Sequence, residues 1–130
     1  MSEQVESAVV ARAAMAAVQE NRREAWLSLF APRARVEDPV GHLPPIEGRD
    51  GLERFWDQVI ATLTSTKFEV TRQWETADEA LLLATVSVVG ASGASATYDG
   101  AFVYAIGEQG KIASLRAFWD LPTVVAALTA

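Results

Sequence analysis

The sequence predicts an α+β domain in which helices come first and a long antiparallel sheet comes after them. Three observations carry this. Up to about Leu63 the apolar residues recur at helical spacing, and from Phe68 they alternate with polar ones. Glycine-containing turns at 90–96 and 107–110 then separate the alternating runs. A chain of 130 residues is one domain over its whole length, 1–130. It can bury roughly two-thirds of the surface that its unfolded form would expose.

Val5 to Glu20 reads as a helix with Val9, Val10, Ala13, Ala14, Ala17 and Val18 in one apolar stripe, and either Ser2 or Ser7 is available to cap it. Asn21-Arg22-Arg23 interrupts the pattern. A shorter helix from Glu24 to Phe30 buries Trp26, Leu29 and Phe30, and Pro32 stops it. Arg33 to Asp38 is a short strand, and Pro44, Pro45 and Gly48 mark the loop from His42 to Gly48. Asp50 can cap a third helix to about Leu63, with Leu52, Phe55, Trp56, Val59, Ile60 and Leu63 at its spacing. Four strands come next. Phe68, Val70, Arg72 and Trp74 share a face in the first, and the others are Leu81 to Val89, Ala96 to Ile106 and Ile112 to Asp120. A short helix is expected after Pro122. There is no internal repeat and no linker.

Composition narrows the function. The net charge of −6 and a pI near 4.7 oppose nucleic acid and anionic membrane surfaces, both of which need a basic face. With no cysteine and one histidine, disulfides, thiolate chemistry and a histidine zinc site are not expected. No nucleotide-binding glycine loop, metal-ligand spacing or serine nucleophile motif is present, so no cofactor and no metal are expected. Met1-Ser2-Glu3-Gln4 lacks the cationic and apolar parts of a signal segment, and no run approaches membrane-spanning length. A cytoplasmic protein is the expectation. Half of the residues are hydrophobic and four are tryptophan, which suits a large apolar pocket or an apolar oligomer interface.

One stretch organises these elements: Val36-Glu37-Asp38-Pro39-Val40-Gly41. Pro39 disfavours helix at Asp38 and has no N–H to continue a ladder, while Gly41 reaches backbone angles closed to other residues. Asp38 is therefore held at a strand end with its side chain free to face a cavity. Around it, in order, stand Ser28-Leu29-Phe30-Ala31, Phe55-Trp56, Asp78-Glu79-Ala80, Thr85-Val86-Ser87 and Gly110-Lys111-Ile112, ending in Ser114-Leu115-Arg116-Ala117-Phe118-Trp119. From about Val9 to Trp119 this chain resembles the bacterial ketosteroid isomerase (steroid delta-isomerase) family, within the nuclear transport factor 2-like or SnoaL-like superfamily. The Asp38 turn is the most specific part of the match. The resemblance implies a cystatin-like cone: a curved antiparallel sheet packed on three N-terminal helices, closed at one end and open at a ligand-sized mouth. It also implies a homodimer.

By the resemblance Asp38 is the catalytic base. It would take a proton from the carbon beside a ketone and return it two positions along the dienol system. In the family a tyrosine and a protonated aspartic acid donate hydrogen bonds to the resulting oxyanion. At the corresponding positions this chain has Ala14 and Phe102. Asp99 lies three residues before Phe102, and in a regular strand an odd offset turns it to the opposite face unless a bulge intervenes. Trp56, Trp119, Tyr98 and Tyr104 are the replacement donors available. Phe55, Val86, Phe102, Leu115 and Trp119 are expected as apolar walls, with Ala14 and Ala84 enlarging the space. His42 is read as a solvated loop residue, with pairing to Asp38 as the alternative. Arg116 is expected to pair with Asp99 or Glu69, and Asp120 to end the last strand or act as a cap. The implied ligand is a small hydrophobic steroid, polyketide or terpenoid. A SnoaL-like cyclase, dehydratase or hydratase, and a non-catalytic binder of hydrophobic ligands, are the rival readings; fold alone does not choose among them.

Overall fold

The two periodicities resolve into four α-helices and six strands in the computed structural model, which describes residues 6–130. In chain order these are α1 Ser7–Gln19, α2 Arg23–Ser28, β1 Phe30–Glu37, β2 Ile46–Glu47, α3 Gly48–Gln58, β3 Leu63–Glu75, β4 Glu79–Gly90, β5 Ser95–Ile106, β6 Ile112–Phe118 and α4 Leu121–Leu128. The strands form one sheet in the order β2-β1-β6-β5-β4-β3. Every pairing is antiparallel except β1 with β6, which run parallel. That pairing brings the ends of β1 and β6, and so Asp38 and Trp119, to the same edge of the concavity.

Helix α1 lies across β3, β4 and β5, and α3 lies against β1. Between helices and sheet, Leu27, Leu52, Leu82, Ile112, Val36 and Val86 are fully buried. Burial of side chains of this size contributes about 1.5–3 kcal/mol each. The first turn of α1 is tied to the far hairpin rather than capped locally. Glu75 Oε2 accepts from the Ala8 N–H at 2.9 Å, and Ser7 Oγ lies 2.9 and 2.8 Å from the carbonyls of Thr76 and Glu79. Ser7 is thus a helix residue and not a cap, while Ser2 and Val5 lie outside the described residues.

Several boundaries differ from those expected. Phe30 starts β1 instead of ending α2, and Pro32 sits inside β1. It is tolerated because the ladder with β6 is irregular between Phe30 and Arg35, where a missing N–H costs no regular bond. Helix α3 stops at Gln58 and a 3-10 turn, Ile60–Thr62, leads straight into β3. Asp50 lies in the first turn of α3; Glu47 precedes the helix and makes no side-chain cap bond. Asp120 does cap α4, accepting from the Thr123 N–H at 3.1 Å.

The largest correction concerns β3. Its register with β4 slips between Val70 and Arg72, so one extra residue reverses the alternation. Phe68 and Val70 pack on the core, and beyond the slip Gln73 and Glu75 face α1. Arg72 and Trp74 therefore turn to the outer face, where the guanidinium stands 4.6 Å from the indole centroid. Asp99 is on that outer face too, accepting from the Thr85 hydroxyl at 2.9 Å. Arg116 pairs with neither Asp99 nor Glu69: its Nε is 3.3 Å from Glu37 Oε1, because β6 lies beside β1.

Candidate functional site

A cavity of about 350 Å³ lies between the inner sheet face and the helices. Almost all of its wall is carbon, and Asp38 is the one carboxylate on that wall among the described residues. The turn beyond β1 sets its position. The Asp38–Pro39 peptide is cis, Val40 N–H donates to the Ala117 carbonyl at 2.8 Å, and Gly41 takes a φ of +85°. Side-chain rotation of Asp38 is then limited by Trp119, whose Nε1–H donates to Asp38 Oδ1 at 2.5 Å. The Trp119 ring leans on Tyr98 with centroids 5.0 Å apart, which fixes the indole in turn.

Two opposed effects act on the Asp38 carboxyl. Burial disfavours its charge, and the Trp119 hydrogen bond favours it; burial is the stronger, and the pKa rises from 3.8 to about 6. Asp38 keeps some accessible surface and lines the apolar cavity. A carboxylate with this pKa is a markedly stronger base than one in water and is still ionised at neutral pH.

Two phenols stand near it. Burial first, and then the charge of Asp38, push Tyr98 and Tyr104 above the ordinary tyrosine value, so both remain protonated donors. Neither hydroxyl has a hydrogen-bond partner among the described residues. Among the described residues no enclosed side-chain polar atom lacks a partner, so both hydroxyls reach accessible space. Tyr104 is only 4% exposed and is part of the wall, so for it that space is the cavity.

Of the expected wall residues, Asp38, Phe55, Phe102, Tyr104, Leu115 and Trp119 line the cavity, as does Tyr98. Ala14, Trp56, Ala84 and Val86 do not. All four are buried in the core. The two alanines and the valine are short side chains, and Trp56 packs its ring on Trp26, 5.5 Å between centroids. Trp26 itself reaches the wall, with Met15 and Val18 of α1 and Phe68 of β3. Apolar spacing marked Trp26, Val18 and Phe68 as core, nothing local distinguished core from wall, and Met15 was outside the expected stripe of the first helix. The indole of Trp119 serves the base, which removes it from the free donors. His42 is exposed in the turn, with no hydrogen bond to Asp38, and adds to the depression of the Asp120 carboxyl caused chiefly by Thr123.

This is an α+β cone with one half-buried carboxylate on the wall of an apolar chamber. The chain belongs to the SnoaL-like domain family, whose model matches residues 11–115. No curated protein sequence matches it. Among solved structures it is similar to the delta 5-3-ketosteroid isomerase from Mycobacterium sp., at 24% identity over 91% of this chain and 96% of that one, with a TM-score of 0.84. It is also similar to Rv0760c from Mycobacterium tuberculosis in complex with estradiol-17beta-hemisuccinate, at 23% identity, 89% and 95% coverage and a TM-score of 0.83. A third likeness is to the epoxide hydrolase/cyclase-like enzyme SalBIII of salinomycin pyran ring formation, at 18% identity, 89% and 92% coverage and a TM-score of 0.79. These likenesses concern the fold.

The raised pKa has a consequence for stability. The folded state holds the Asp38 proton more tightly than the unfolded chain, so this group favours folding fully below pH 3.8 and loses that contribution as pH rises to about 6. Asp38→Asn is expected to raise stability at pH 8 by on the order of 2 kcal/mol. The gain should fade toward pH 4, as read from urea midpoints across pH.

Proposed function

We propose that this protein binds a hydrophobic polycyclic ketone and moves its carbon–carbon double bond into conjugation, with Asp38 as the proton carrier. The observation that carries the reading is a lone carboxylate that lines an apolar chamber together with two protonated phenols. In the first step Asp38 takes the proton from the carbon between ketone and alkene, and the electron pair moves onto the ketone oxygen as a dienolate. Tyr104 donates to that oxygen, while Tyr98, six residues earlier on β5, packs against Trp119. In the second step the neutral Asp38 gives the same proton to the far end of the dienolate, and the carboxylate is restored.

Steroid, polyketide and terpenoid ketones all fit the chemistry of the wall. A single carboxylate suits a reaction that removes and returns one proton, which favours isomerisation over a hydratase or cyclase with separate acid and base. The free phenols favour turnover over simple sequestration. The test is absorbance of the conjugated enone formed from a β,γ-unsaturated ketosteroid. The wild-type kcat/KM should rise with pH through about 6, where Asp38 ionises. Asp38→Asn should lose about 10²–10⁴-fold in kcat, and Tyr104→Phe about 10²-fold. Full activity in Asp38→Asn would show another base, and saturable binding without wild-type turnover would mean a binder.

The reading includes a homodimer through the outer sheet face. Trp74 and Phe118 are 46% and 41% exposed there, a costly arrangement for large apolar rings unless another surface meets them. Sedimentation velocity should find a dimer for the wild type and a monomer for Trp74→Glu/Phe118→Glu. A monomeric wild type would contradict this part.

A further inference from the structure

Polar atoms are unevenly placed along the cavity wall. Asp38 and the indole that holds it stand at the β1–β6 side. On the opposite edge, Thr66 of β3 and Gln58 at the end of α3 also reach the wall. Between the two groups Phe102, Phe68 and Val88 offer only carbon, and the phenols of Tyr98 and Tyr104 on β5 are the polar groups there. Strands β6, β5 and β4 separate β1 from β3. The two groups are therefore four strand spacings of ~4.8 Å apart across the sheet, and the register sets them apart along the strands as well, because Thr66 stands in the row of Val88 and Ala96 whereas the Asp38 turn stands beside Ala117 and Phe102.

Thr66 faces inward because it precedes the β3 slip and shares the phase of Phe68 and Val70. It is half-buried, and its hydroxyl has no hydrogen-bond partner among the described residues. Because no enclosed side-chain polar atom among the described residues is unpaired, that hydroxyl too is open to an incoming group. Gln58 is exposed beside Val59, itself 42% exposed, and its amide brings both a donor and an acceptor to the rim. No lysine or arginine lines the cavity among the described residues. A neutral oxygen therefore matches this end better than a carboxylate, which would be desolvated without a counter-charge.

We infer that Thr66 and Gln58 form a second polar subsite, which takes a hydroxyl or carbonyl at the end of the ligand remote from its reacting ketone. The inference rests on the proposed ketone site and narrows its substrate class to elongated ring systems oxygenated at both ends. The spacing makes the subsite a ruler. A ligand long enough to reach Thr66 is held with its ketone at the Asp38 end, whereas a shorter one slides along the apolar wall.

The test is equilibrium binding by tryptophan fluorescence, since Trp26 and Trp119 line the cavity. Two probes are compared: a ketosteroid with a hydroxyl on the ring farthest from its ketone, and the counterpart lacking that hydroxyl. The wild type should bind the hydroxylated probe about 5- to 10-fold more tightly, the scale of one or two net hydrogen bonds. Thr66→Val with Gln58→Leu should reduce the preference to within about twofold while leaving affinity for the other probe little changed. Equal wild-type affinities, or a preference that survives both substitutions, would overturn the subsite alone. Failure of both probes to bind would overturn the ligand class and the subsite together. Because turnover is not read, loss of the Asp38 assignment leaves this result standing.

Discussion

The hydrogen bond from Trp119 to Asp38 is the contact on which the rest of the site depends. A carboxylate moved from water into an apolar chamber tends to become neutral, and a neutral acid is no base. An anion fully matched by cations would stay charged but lose its basicity. One indole N–H is an intermediate arrangement: it keeps the anion accessible at neutral pH without cancelling the effect of burial. The parallel pairing of β1 with β6 makes this possible, because it lays the ends of two strands distant in sequence side by side. Tyr98 then steadies the indole, and the Val40–Ala117 bond steadies the turn.

The sheet divides the labour between its two faces, and irregularities in the ladders set the division. Slips in β1, in β3 and between β5 and β6 interrupt what would otherwise be regular pairing. Such slips bend strands and increase local twist, which is how a sheet closes around a chamber. The slip in β3 also sorts chemistry. Before it, Thr66, Phe68 and Val70 serve the inner face; after it, Arg72 and Trp74 go outside while Glu75 turns in to hold α1.

What the sequence made legible was local or strictly periodic. The Asp38 turn is readable because proline and glycine act on their immediate neighbours. Phe102, Tyr104 and Leu115 are readable because a period of two assigns faces in an unbroken strand. The same rule puts Asp99 on the outer face. Misplacements arise where a distant element decides. An extra residue in β3 depends on pairing with β4, so the expected shared face of Phe68, Val70, Arg72 and Trp74 fails halfway. Arg116 takes Glu37 because β1 is its neighbour, which no spacing along β6 reveals. Ala14, Ala84 and Val86 are wall residues only by alignment with a family, and they are buried in the core away from the cavity wall. Trp26 shows the converse. It belongs to an ordinary apolar stripe, and only the packing of α2 over the chamber makes it wall as well as core.

Everything at the site rests on the balance of burial and hydrogen bonding at one carboxyl group. That balance is measured most directly by NMR titration of the Asp38 side-chain carboxyl in the wild type and in Trp119→Phe. The midpoint should lie near 6 in the wild type, and higher in the variant because the bond that favours the anion is gone. A wild-type midpoint close to 3.8, the value for an unburied aspartate, would contradict this balance, as would a midpoint that Trp119→Phe leaves unmoved.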